Sequence, residues 1–123
     1  NPKHFMKSIP AIAKMRDIAK KMAFHVDNEE VMAQLIRETW ELQKSLSNTM
    51  ETDTMRRLQR VCTDCYLAAR ATGAGGGGCM IFYVKPEKKK HLIFLFNQMK
   101  KKLPNMKVLP FEFDYKGIEL DGN

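Results

Sequence analysis

Arg70-Ala71-Thr72-Gly73-Ala74-Gly75-Gly76-Gly77-Gly78-Cys79 is the stretch on which the reading of this chain turns. Four consecutive glycines held in fixed conformations cost about 2–4 kcal/mol relative to alanine. A flexible linker is one account, but linkers are usually diluted with serine and flanked by polar residues. Here the flanks are apolar. Upstream, residues 68–72 read as a short strand leading into the glycines. Downstream, Cys79-Met80-Ile81-Phe82-Tyr83-Val84 is a continuous apolar run, as in a strand covered on both faces. The functional account is a loop whose bare backbone approaches a phosphate or another glycine loop. Its successive N–H groups would form an anion-binding nest. Gly73, Gly75 and Gly78 match G-x-G-x-x-G, but a dinucleotide fingerprint opens a helix, and these glycines open a strand. Cys79-Met80 also stands where a Walker A loop needs lysine and then serine or threonine.

Around these strands the pattern is helical. A first helix is predicted over residues 2–24, with Phe5, Ile9, Ile12, Ala19, Met22 and Val26 at helical spacing. A second opens at Asp27-Asn28-Glu29-Glu30, with Asp27 as the cap and Glu30 completing a capping box. It carries Val31, Leu35, Leu42 and Leu46 on one stripe, and Met32, Ile36 and Trp40 on the next. A third begins at the N-cap signal Thr52-Asp53 and places Met55, Leu58, Val61, Cys62 and Cys65 on one face. A fourth starts at Pro86, turns Leu92, Leu95, Met99 and Leu103 inward and stops before Pro104. After it, Phe111 to Tyr115 alternates, and Ile118-Glu119-Leu120 alternates again after Lys116-Gly117, which predicts a hairpin. The expected fold class is α+β: one domain over residues 1–123, an antiparallel four-stranded sheet covered by helices.

Composition narrows the partners. The formal charge is +7, so phosphorylated metabolites, nucleotides and nucleic acid are all favoured over cations. No apolar run approaches the roughly 20 residues that span a bilayer, and the first residues lack the layout of a signal peptide. A cytoplasmic protein without membrane contact is therefore expected. Three cysteines at irregular spacing, Cys62, Cys65 and Cys79, fit a reducing compartment better than a disulfide framework. Cys62-Thr63-Asp64-Cys65 is a C-x-x-C, but zinc wants two further ligands, and a redox pair normally sits at a helix N-terminus. Core thiols are the simpler reading, and no metal site is expected. His4, His25 and His91 share no motif, and no residue forms a recognisable nucleophile–base pair, so no catalytic residue is assigned. Lys88-Lys89-Lys90 and Lys100-Lys101-Lys102 read as solvated faces, with nucleic-acid binding as the competitor given nearby Tyr83, Phe94 and Phe96.

Residues 72–80, Thr-Gly-Ala-Gly-Gly-Gly-Gly-Cys-Met, resemble the third signature motif of the GHMP kinases, named for galactokinase, homoserine kinase, mevalonate kinase and phosphomevalonate kinase. Two further stretches resemble the branch that phosphorylates heptose 7-phosphate. One is Trp40-Glu41-Leu42-Gln43-Lys44-Ser45-Leu46-Ser47. The other is Val108-Leu109-Pro110-Phe111-Glu112-Phe113, followed by Gly117. They occur in the family's order and span nearly the whole chain. The resemblance implies the C-terminal, ferredoxin-like domain of a two-domain sugar kinase, without the N-terminal domain that binds ATP. It implies that Thr72, Gly73, Ala74, Gly75, Gly76, Gly77 and Gly78, with Arg70, line the phosphate side of the cleft. Trp40, Lys44 and Ser45 would face a sugar or sugar-phosphate substrate. The chemistry implied is transfer of the γ-phosphoryl of ATP to a sugar hydroxyl, with Mg²⁺ offsetting charge, which depends mostly on positioning and electrostatics. ATP and Mg²⁺ would belong to the full-length protein, with neither held tightly by this chain, which alone should be inactive. One departure stands out: the heptose branch tends to carry Gly-Ala-x-Gly-Gly-Lys ahead of the motif, and here Cys65-Tyr66-Leu67-Ala68-Ala69-Arg70 takes its place. Two other classes stay open: a free-standing ligand-binding or regulatory module, its cleft face polar or buried in a homodimer, and a basic nucleic-acid-binding domain.

Overall fold

The computed structural model describes the backbone of residues 2–71 and 80–103, and side chains from residue 9 onward. The glycine run at 72–79 and the hairpin expected over 111–120 lie outside the described residues. In chain order the elements are α1 (Pro2–Phe24), α2 (Glu29–Leu46), α3 (Asp53–Val61), β1 (Ala68–Ala71), β2 (Met80–Tyr83), a 3₁₀ turn (Pro86–Lys88) and α4 (Lys89–Lys102). The class is α+β, mostly helical. Among the described residues the sheet has two antiparallel strands rather than the four expected.

The starts of α2 and α3, and of the turn that leads into α4, have local reasons. The α2 cap is Asn28, not Asp27: its backbone is extended and its side chain accepts the Val31 N–H at 3.1 Å. Asp27 instead falls inside the turn closed by Asn28 N–H donating to the His25 carbonyl at 2.9 Å. With the cap one residue later, the third helical position is Val31, and the Glu30 capping box does not form. Glu29 and Glu30 still occupy the first turn, where the helix dipole favours negative charge. Thr52 caps α3 as expected, accepting from Met55 N–H at 3.2 Å. Pro86 opens the 3₁₀ turn that feeds α4.

Two helical faces differ from the sequence reading. In α1 the residues turned inward are Ala11 and Ile18, with Met15 and Met22 half-buried between and beyond them. The expected Ile9, Ile12 and Ala19 are exposed. Apolar residues cover a wide arc of α1, and only the stripe that meets α2 is used. The third helix ends at Val61, itself exposed, so Cys62 and Cys65 are not a helical pair. Cys62 is the C-cap, donating to the Leu58 carbonyl, and its own carbonyl accepts the Cys65 N–H at 2.8 Å in a tight turn. Val61, Cys62, Thr63 and Asp64 are all weak helix formers, which accounts for the early stop.

The strands pair Ala68 with Tyr83, Ala69 with Phe82, Arg70 with Ile81 and Ala71 with Met80. Paired residues share a sheet face. On one face Ala68 and Tyr83 pack with Met32, Ala33 and Ile36 of α2 and with Met22 of α1. On the other, Ala71 and Met80 pack with Trp40 and Met55, while Phe82 joins Cys62, Cys65 and Leu92. Helix α2 thus touches both faces, because it runs along the edge of β1. Three alanines of four residues in that strand leave room for so close an approach.

Candidate functional site

Among the described residues, the tie between α2 and β1 is the most specific polar feature. Arg37 Nη1 donates to the Leu67 carbonyl at 2.7 Å, just before the strand. Two turns on, Gln43 Nε2 donates to the Ala71 carbonyl at 3.0 Å, and Ala71 N–H donates to Gln43 Oε1 at 3.2 Å. Gln43 is buried, so its amide does for Ala71 what a neighbouring strand would do, meeting both backbone groups at once. Ala71 is the last described residue before the glycine run. The anchoring side chain and the residues expected to face substrate, Trp40, Lys44 and Ser45, lie within six positions of α2.

Trp40, Lys44 and Ser45 do come together. They line one open groove of about 560 Å³ with Arg37, Gln59 and Tyr66. Trp40 is its floor rather than a hydrogen-bonding wall. The side chain is buried and its Nε1–H is engaged by Gln59 Oε1 at 3.1 Å. Gln59 Nε2 in turn donates to Glu51 Oε2 at 2.8 Å, and Tyr66 donates its phenol to the Gln59 carbonyl at 3.3 Å. Burial, and then the neighbouring Cys62 and Glu51, hold the Tyr66 phenol above its ordinary range. Lys44 reaches over the Trp40 ring with its ammonium 5.1 Å from the centroid, paired to Glu41 at 2.8 Å. That pair is on the surface and contributes little to stability. The Ser45 hydroxyl donates to the Leu42 carbonyl at 2.6 Å. Lys14, Arg37 and Lys44 against Glu38 and Glu41 give the groove rim a mixed charge with a cationic surplus.

Arg70 is not part of this groove. It shares its sheet face with Ile81 and lines a separate cavity of about 530 Å³ between α1, α2 and the sheet. Thr72, Gly73, Ala74, Gly75, Gly76, Gly77 and Gly78 lie outside the described residues. Sequence reading missed Arg37 and Gln43. Gln43 had a signal, since it falls seven residues after Ile36 and three after Trp40, on the buried stripe of α2.

Cys62 and Cys65 are both free thiols buried in the cluster with Leu92. Burial, and then the neighbouring Cys65, push the Cys62 thiol from 9.0 up to about 11. A thiol so disfavoured as thiolate is a poor nucleophile and a poor metal ligand. Among the described residues no group of three or more His, Cys, Asp or Glu is placed to hold a metal ion. No described helix is long and apolar enough to cross a membrane.

Against this geometry stands one sequence relationship. Over 91 residues the chain is 32% identical to the D-glycero-alpha-D-manno-heptose 7-phosphate kinase of Campylobacter jejuni. The chain is similar to a sugar kinase. The match takes in 71% of the chain and 26% of that kinase, so the chain spans about a quarter of the length of the curated relative it matches. No protein-family profile matches the chain.

Proposed function

We propose that this chain is the C-terminal, substrate-side part of a GHMP-type sugar-phosphate kinase, acting on a heptose phosphate or a similar phosphorylated sugar. The observation that carries the reading is the identity to a heptose 7-phosphate kinase. It joins a strand–glycine run–strand arrangement in which α2 holds the strand that enters the glycines. In this reading the hairpin at 111–120 completes a four-stranded sheet, and residues 72–78 line the phosphate side of the cleft. Lys44 and Ser45 meet the sugar at the groove over Trp40. Lys44 is suited to a phosphate, because it is a compact point charge that can exchange Glu41 for a ligand at small cost. Gln43 fixes the distance between the substrate end of α2 and the start of the glycine run. ATP supplies the transferred phosphoryl group, and its binding residues and those for Mg²⁺ would belong to the N-terminal part of the longer protein.

The test is a coupled ADP-release assay on the longer parent protein with ATP and a panel of heptose, fucose and galactose derivatives. Turnover on a phosphorylated heptose, with Lys44→Ala raising KM at least tenfold, is the expected result. No turnover on any sugar, or a Lys44→Ala variant with unchanged KM, would sink the reading. The 123-residue chain alone should show no turnover.

A second reading draws on α4. Residues 88–103 contain six lysines and no acid, and the exposed Phe94 ring lies parallel to His91 at 6.4 Å. Basic groups around an aromatic platform suit single-stranded nucleic acid. A gel-shift titration that saturates at low salt and weakens steeply with added salt would favour this reading over the kinase.

A further inference from the structure

The cavity between α1 and the sheet is chemically unlike the groove over Trp40. Its body is apolar and adaptable, with Met15, Met22 and Met32 facing Ile36 and Phe82. Methionine is unbranched and polarisable, so such a lining reshapes around a guest. Its volume, about 530 Å³, lies within the usual range for small-molecule sites. No described acidic residue lines it, whereas Arg16 from α1 and Arg70 from β1 both do.

The polar groups facing this space divide into committed and uncommitted. Thr39 donates its hydroxyl to the Leu35 carbonyl at 3.0 Å, and both ends of the Gln43 amide are held by Ala71. Arg16 and Arg70 form no ion pair or hydrogen bond with any other described residue. Two guanidiniums without a partner among the described residues, beside an apolar gap with no described carboxylate in its lining, are complementary to an anion with a hydrocarbon body. A guanidinium also matches the planar fork of a carboxylate. A sugar is the wrong guest, since the walls offer its hydroxyls almost no partners.

We propose that this cavity binds an amphiphilic carboxylate, with the acid group at Arg16 and Arg70 and the chain laid among the three methionines. The site is separate from the groove assigned to the sugar, and its existence does not depend on the kinase reading. Because Arg70 sits one residue from Ala71, a bound carboxylate would pull on the strand that enters the glycine run.

The probe is decanoate, kept below its micelle concentration and titrated into the 123-residue chain by calorimetry, with decan-1-ol as the neutral comparison. Saturable one-to-one binding of decanoate, at least tenfold tighter than decan-1-ol, is expected. Arg70→Gln should weaken it at least tenfold, and Arg16→Gln by several-fold. Ala19→Trp places bulk at the mouth from an exposed position and should abolish binding without loss of helical circular dichroism. In methyl spectra the shifts should centre on Met15, Met22 and Met32. Equal affinity for alcohol and acid would overturn the proposal, as would indifference to both arginine substitutions or shifts centred away from those methionines.

Discussion

Replacing Gln43 by methionine isolates the tie between α2 and β1, because the side chain keeps its length and loses its amide. Two hydrogen bonds disappear, and the N–H and C=O of Ala71 lose their side-chain partner in a buried setting. An intramolecular hydrogen bond contributes about 1 kcal/mol net, and a buried group left unpaired costs about 1–3 kcal/mol. We expect a loss of about 2–4 kcal/mol, a large share of the roughly 5–15 kcal/mol that holds a domain folded. That corresponds to a fall in Tm of roughly 6–15 °C for a chain of this size. Arg37→Met is the matched comparison: it breaks the bond to the Leu67 carbonyl, but in an exposed setting where water can replace it. Its cost should stay near 0.5–1 kcal/mol. Urea unfolding of both variants, with amide exchange at Ala71, reads the result. If Gln43→Met stays within about 0.5 kcal/mol of the parent and Ala71 exchanges no faster, the amide is not the anchor described above.

Other perturbations address single features. The Cys62 thiol is raised above its unfolded value, so its contribution to stability is complete below pH 9 and is lost as pH rises toward about 11. Cys62→Ala should flatten that alkaline loss in pH-dependent urea unfolding, and in the parent chain alkylation of Cys62 at pH 8 should run about 100-fold slower than in urea, from thiolate fraction alone. Asn28→Ala should destabilise by about 1 kcal/mol and Asp27→Ala by much less in thermal unfolding, since Asn28 makes the capping bond. Trp40→Phe removes the bond to Gln59 while retaining most of the ring, and should cost about 1–2 kcal/mol in urea unfolding.

Elements that depend on local rules were legible in the sequence. Pro86, Thr52 and the apolar run at 79–84 each act through their immediate neighbours, and the helix starts and the strand follow. The misread features were decided by tertiary packing or by a choice between adjacent alternatives. Ile9 and Ile12 have the right spacing for a buried face, yet the stripe that meets α2 runs through Ala11, Met15, Ile18 and Met22, a choice between two apolar arcs of one helix that only packing makes. Asp27 and Asn28 are equally good caps in isolation. The turn from His25 settles which one is extended, and that turn is not encoded in capping propensity. The grouping of Trp40, Lys44 and Ser45 in one groove was legible because they travel together on one helix. Separation of Arg70 from them was not, since it depends on the register of β1 against β2.

The placement of α2 also limits how this sheet can grow. A strand at a sheet edge presents unpaired N–H and C=O groups to any passing strand. Along β1 that edge is closed by side chains: Arg37 takes the Leu67 carbonyl and Gln43 takes both groups of Ala71. The alanines between them lie against the helix, where no backbone could enter. Among the described residues, the edge of β1 that faces α2 is therefore closed to a further strand. The position of Ala71 is thereby set by bonds to α2 that do not depend on what pairs along the opposite edge of the sheet.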